Sequence, residues 1–284
     1  MTFAIVLAGA ALLIWAVFGF LARGPGSLRA EYTRDVNRAL ARTAPPAGII
    51  TEADLAHLPA PVRRYLEVAG AVGRPRVHNF RVRMHGRIRS GPEGPWIPLS
   101  AEQYNFVGEP ARFFYLNGSM MMIPVLGYHR YAGGAAAMTI KAAALFRVAE
   151  AAGWETTQSE TVTLFNDMCV MAPGTLIDRR ITWEGVDART ARATFTNAGF
   201  SIRAELSFNE AGELTNFWSD DRYQLTPDGS LRKLRWSTPL KDYRTRKDFH
   251  LASAGEGRWL DTAGEYAYIE LTIDDVEYNV RSRA

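Results

Sequence analysis

The sequence predicts a mainly β (α+β) fold: a large curved antiparallel sheet or half-barrel, covered by a two-helix insertion and preceded by an N-terminal transmembrane helix. Three observations predict it. From residue 77 onward, apolar residues recur with a period of two, as in strands with one dry face. Short turn sequences, NEAGE at 209–213 and TPDGS at 226–230, join successive alternating runs, so neighbouring strands are antiparallel. Residues 2–22 carry no charge and, at about 1.5 Å per residue, make a helix of roughly 30 Å, enough to cross a hydrocarbon core.

The chain divides into an anchor (1–22), a juxtamembrane helix and linker (23–50), and a single β-rich domain (51–284) with a helical insertion at 141–174. A cleaved signal peptide is disfavoured. The segment before the apolar run is only MTF, and Phe20 occupies the −3 position for cleavage after Ala22. After Gly24-Pro25-Gly26, residues Leu28, Tyr32, Val36 and Leu40 fall on one side of a predicted amphipathic helix. The arginines of that helix face either anionic headgroups or solvent. TAPPAG (43–48) is the linker. Thr51 with Asp54 three residues on gives a capping-box start, and PAPVRRYLEVAG makes a short helix ending at Gly70.

Strands are expected at 77–90, 96–107, 111–117, 121–132, 135–141, 178–185, 189–197, 200–209, 213–224, 231–244, 258–273 and 275–280, with a turn at Asp274-Asp275. In 200–208 the even residues are apolar and the odd ones polar, a meander with one dry face. The insertion reads as two helices, about 141–152 and 157–172, the second stopped by Pro173-Gly174. A sheet of this size needs its dry face covered, and these helices are the available cover.

Composition excludes several function classes. A net charge of +3 over 284 residues is too small for a nucleic-acid binder. One cysteine, Cys169, rules out an internal disulfide and a CxxC site. The five histidines (57, 78, 85, 129, 250) have no metal-ligand spacing, and no nucleophile elbow, Walker loop or dinucleotide fingerprint is present. No catalytic residue, metal or cofactor is therefore assigned. The basic strand RVHNFRVRMHGRIRSG places Arg81, Arg83, Arg87 and Arg89 along one face over about 20 Å. A wet sheet face is the first reading, a contact with anionic headgroups the second.

Several stretches together carry a resemblance: LPAPVRRYLEVAG, the basic strand, GEPARFFYLNG, RITWEGVDARTARATF, DGSLRKLRWSTPLKDYR and GEYAYIELTIDDVEYN. Over roughly 55–280 the chain resembles an uncharacterised family of bacterial membrane-anchored proteins of unknown function. More loosely, the resemblance implies the half-barrel of periplasmic lipoprotein carriers, which hold acyl chains between a curved sheet and a helical lid. The anchor, the curved β body, the Met- and aromatic-rich insertion and the lack of a catalytic motif point to a non-catalytic, membrane-anchored protein binding a lipid or other amphiphile. On the second insertion helix, Val162, Phe165, Met168, Cys169 and Ala172 form a stripe, flanked by Met171. That stripe is expected to face the sheet around Trp183, Phe195, Phe200, Ile202 and Phe208. The expected ligand-binding residues are Phe165, Met168, Met171, Trp183, Phe195, Phe200, Ile202 and Phe208, while Gln158, Glu160, Thr163 and Asp167 are expected to point outward. Two alternatives stand beside this: a hydrolase using His129 with a carboxylate, and a scaffold binding a protein through its polar sheet face. The arginines after residue 22 favour a cytoplasmic body, and the carrier likeness an extracytoplasmic one; the latter is preferred.

Overall fold

The computed structural model describes residues 16–44, 47–226, 228–246 and 248–283. Its strands are β1 (Asn79–Ile88), β2 (Ile97–Phe106), β3 (Ala111–Met120), β4 (Ile123–Ala132), β5 (Ala135–Ala142), β6 (Phe146–Ala152) and β7 (Ile181–Asp187). The others are β8 (Thr190–Asn197), β9 (Phe200–Phe208), β10 (Leu214–Leu225), β11 (Leu231–Ser237), β12 (Leu240–Arg246), β13 (Phe249–Asp261) and β14 (Gly264–Tyr278). All pair antiparallel in one curved half-barrel sheet of order β6-β5-β4-β3-β2-β1-β14-β13-β11-β10-β9-β8-β7, with β12 beside β13. Three α-helices are labelled: α1 (Leu28–Arg42), α2 (Ala60–Val68) and α3 (Trp154–Met171).

The mainly β prediction and both turn sequences correspond to the structure. Asn209 N–H donates to the Glu213 carbonyl, and Thr226 N–H to that of Ser230. Three expectations are corrected. The segment 141–152 is not a helix: Ala143 and Ala144 take left-handed φ values of 51° and 57°, and the chain turns back into β6. Its alanine-rich composition favours a helix locally, but pairing with β5 overrides that weak preference. The insertion thus supplies one covering helix, α3. Asp274-Asp275 is no turn; both lie inside β14, where a bulge opposite Arg83/Met84 accommodates the pair. The run 231–244 is two strands, and β13 begins at Phe249, well before the expected 258.

Alternation divides the sheet cleanly. Phe80, Val82 and Met84 of β1 enter the concave core, while Arg81, Arg83 and Arg87 face the convex side. Helix α3 lies within the concave face, touching β4, β5 and β6 on one arm and β9, β10 and β13 on the other. The arms also meet directly, where Asn197 Nδ2 donates to Tyr131 Oη at 2.5 Å. Helix α2 adds Val62, Tyr65 and Leu66 to the same core, and Tyr65 Oη donates to the Cys169 carbonyl.

Helix α1 covers part of the convex face. Ser27 caps it, its Oγ accepting from Ala30 N–H. The predicted stripe Leu28, Tyr32, Val36 and Leu40 is the buried one, packed with Tyr104, Phe113 and Tyr128. Tyr32 Oη donates to Glu102, and Asp35 accepts from both Tyr128 Oη and Arg130 Nε. Most of the predicted membrane span lies outside the described residues. Residues 16–23 are helical, and among the described residues no helix is long and apolar enough to cross a membrane.

Candidate functional site

The predicted apolar stripe does face the sheet. Phe165 stacks on Phe195 with ring centroids 5.3 Å apart, and reaches Trp183 (6.2 Å) and Phe217 (5.8 Å). Met168, Met171, Ile202 and Phe208 are buried in the same cluster, whereas Trp183 and Phe200 stay half-exposed. Phe200 stands apart, its ring against Trp154 at the start of α3. Six of the eight residues are therefore buried in one common core, and two reach the surface.

The opposite face of α3 departs from expectation. Gln158, Glu160, Thr163 and Asp167 are all buried, because the sheet curls far enough to enclose both sides of the helix. What they meet is polar. Arg112, on the dry side of β3 between the outward Ala111 and Phe113, donates from Nε to Asp167 (2.6 Å), from Nη1 to Glu160 (3.0 Å) and from Nη2 to the Gln103 side-chain oxygen (3.1 Å). Asp167 Oδ2 also accepts from Gln103 Nε2 and Asn105 Nδ2. His129 Nδ1 lies 3.6 Å from Glu160 Oε1. One signal for this cluster was legible: Gln103, Asn105 and Arg112 fall at dry positions in otherwise regular alternation.

The two carboxylates differ. Burial pushes Glu160 up, but the Arg112 guanidinium and His129 outweigh it and hold the group at about 2. Burial wins at Asp167, lifting it above the ordinary carboxylate value against the pull of Arg112 and Asn105, with Glu160 adding repulsion. Arg112 has all three of its nitrogens engaged and is not a free donor.

A second arginine, within electrostatic reach of Glu160, has a donor to spare. The Arg222 guanidinium lies 4.2 Å from the Trp236 ring centroid and 5.3 Å from that of Trp259. Its Nη1 donates to Tyr268 Oη, but its Nε is buried without a hydrogen-bond partner. Tyr268 Oη also accepts from Trp236 Nε1, which leaves the tyrosine's own O–H to donate elsewhere. Tyr268 stacks on Trp259 at 5.6 Å, and Gln224 bonds Tyr266 beside it. Arg222, Tyr266 and Tyr268 are half-exposed, so the group opens to the surface. Two aromatic walls, a cation and two uncommitted donors suit an anionic or acceptor-rich group attached to an apolar body.

The basic strand is neutralised from within. Arg83 pairs with Asp275, His85 with Asp274, and Arg87 bidentately with Glu270. Arg81 is buried, with Glu277 at 3.6 Å and Glu102 at 4.0 Å. Arg87 and Arg89 both stack on Trp96, and Arg89 Nε donates to the Ala267 carbonyl. The partner strand is β14, some 190 residues away in sequence, which no local reading finds.

A search among curated proteins finds no match for this chain. Solved structures give low-identity likenesses. One is a domain described as an outer membrane lipoprotein-sorting protein from Vibrio parahaemolyticus, 11% identical, covering 72% of this chain and 87% of that one, with a TM-score of 0.42. A second is a DUF1329 family protein from Desulfovibrio piger, 10% identical, covering 83% and 96%, with a TM-score of 0.43. A third is a LolA superfamily protein from Nitrosomonas europaea, 12% identical, covering 76% and 93%, with a TM-score of 0.35. A family model matches residues 48–271, close to the span of the resemblance read from the sequence, and on that match the chain belongs to the family of unknown function DUF6544.

Proposed function

We propose that this is a membrane-anchored, non-catalytic binding protein whose half-barrel holds an amphiphile. Its anionic head is taken by Arg222 and Tyr268, and its apolar body lies along Trp236 and Trp259. The predicted residues Phe165, Met168, Met171, Phe195, Ile202 and Phe208 form the packed wall behind that body, with Trp183 and Phe200 at its rim. The observation that carries this reading is the buried, unpartnered Nε of Arg222 between two tryptophans. A buried donor left unpaired costs about 1–3 kcal/mol, and a ligand acceptor would remove that cost. Residues 2–22 form the anchor, and the body lies outside the cytoplasm.

The test is mass spectrometry of lipid extracted from the purified full chain. A near-stoichiometric amphiphile is expected, falling several-fold in Arg222→Met while the thermal transition is kept. A ligand-free wild-type protein would sink the proposal. For topology, the intact mass should retain Met1 or Thr2, and a reporter fused at the C-terminus should be active only outside the cytoplasm. The hydrolase reading keeps one specific support, the 3.6 Å approach of His129 to Glu160. That reading requires activity on an ester or amide panel that His129→Gln abolishes.

A further inference from the structure

The hairpins β3–β4 and β5–β6 end in a cluster of apolar side chains that nothing among the described residues covers. Met121 and Met122 are 90% and 94% exposed, and Ile123, Leu145, Phe146 and Val148 lie open beside them. Ala143 N–H donates to the Pro124 carbonyl, tying the two tips into one surface. The turn chemistry is also unusual. Met121 and Met122 sit at φ 50° and 68°, where two-residue hairpin turns ordinarily use asparagine and glycine. Two large apolar residues thus carry both backbone strain and full exposure at one point. Neither serves folding, since asparagine-glycine would relieve both.

The neighbourhood identifies the occupant. Ala22, from the helical residues 16–23, shares an apolar cluster with Leu126 and Ala144 at these same hairpins, and Phe18 and Leu21 pack against it. Val17 and Phe20 of that helix are exposed in turn. The uncharged run of residues 2–15 leads directly into this helix. Cations stand behind and beside the tips: Arg23 and Arg29 within electrostatic reach of Tyr115, midway along β3, and Lys141 directly opposite Arg147 in the β5–β6 pair. Like charges facing across a ladder are unfavourable unless an anion lies nearby, and Glu150 is paired with Arg147. Apolar tips with a basic collar next to an apolar N-terminal segment match the layered chemistry of a bilayer surface.

We propose that the paired tips of the β3–β4 and β5–β6 hairpins insert into the surface of a bilayer containing anionic lipid, fixing the body against the membrane beside its anchor. The inference rests on the anchored reading of residues 2–22. It is tested on the full chain in vesicles of phosphatidylcholine and phosphatidylglycerol, with a polarity-sensitive fluorophore on Met122→Cys, Phe146→Cys, Ala10→Cys or Ala188→Cys. The native Cys169 is fully buried and stays unlabelled in the folded protein. Lipids brominated on the acyl chains should quench positions 122 and 146 about twofold or more, as expected for side chains reaching the acyl boundary, and leave position 188 unchanged. The double change Met121→Asp with Met122→Asp should abolish quenching at 146. Quenching at 10 without quenching at 122 and 146 overturns the insertion and spares the anchor. No quenching at any position overturns both. A blue shift at 122 without quenching, accompanied by a doubled mass, would show a second copy on the tips and equally overturns the proposal.

Discussion

Arg112 faces two buried carboxylates with a single positive charge, and the pH dependence of stability follows from how they share it. Glu160 is held at about 2 in the folded protein against an ordinary 4.5, so its contribution is complete above the ordinary value and is lost as the pH falls toward 2. At about 1.4 kcal/mol per pK unit this is on the order of 3 kcal/mol. Asp167 is shifted upward, so its ionisation works against the fold, and its contribution is lost as the pH rises through the raised value. The two oppose each other in acid. Denaturant titrations between pH 7 and 3 should therefore show a shallow loss in the wild type. The loss should be steeper in Asp167→Asn, where the Glu160 contribution stands alone, and absent or turned into a small gain in Glu160→Gln, where the raised Asp167 is left. Identical slopes in all three would remove this account of the cluster. Arg112→Met removes the cation hydrogen-bonded to both acids, leaving Glu160 only His129 and Arg222, and should cost about 3–5 kcal/mol, the range for breaking a buried ion pair from one side.

At the scale of elements, α1 and α3 show what the sequence makes legible. The stripe Leu28, Tyr32, Val36 and Leu40 could be read directly, because α1 lies on the outside of the sheet with only one face covered. Helix α3 offered the same kind of signal on its apolar side, and Phe165 lies where the spacing put it. Its polar side misled, since periodicity assigns polar residues to water and cannot see a sheet that curls around both faces. The cluster of Arg112, Glu160 and Asp167 was missed for that reason, and Arg222 because its two tryptophan neighbours come from other strands. Phe165 has no exposed surface and three aromatic neighbours, so Phe165→Ala should cost about 3–5 kcal/mol by calorimetry or denaturant titration. On β1 the opposite holds. Arg83 and Arg87 are exposed and paired to β14, so Arg83→Gln with Arg87→Gln should leave the melting temperature and anionic-vesicle binding close to wild type. A marked loss of vesicle binding would return this strand to the headgroup reading.

The whole molecule is two arms whose strands join into one sheet at a single seam. Strands β1–β6 make one arm and β7–β14 the other, and the sheet is continuous only because β1 pairs with β14 along nearly its full length. Within that seam Gly86 faces Leu271. A Cβ at Gly86 would lie 1.9 Å from the Glu270 carbonyl oxygen and 2.9 Å from its carbon, both well inside van der Waals contact. The obstacle is backbone in the centre of a sheet, so neither strand can move without breaking the ladder on its far side. Gly86→Ala should therefore cost about 3 kcal/mol or more, the upper end of overpacking penalties. Gly91→Ala, with nothing within 4 Å of the added atom, should be near neutral and serves as the control. Because α3 also touches both arms, the arms should not come apart separately. Unfolding followed by tryptophan fluorescence and by far-ultraviolet circular dichroism should give one coincident transition in the wild type and, at lower denaturant, in Gly86→Ala. Two separated transitions in the variant would mean that each arm holds its own fold, and that the seam joins two domains.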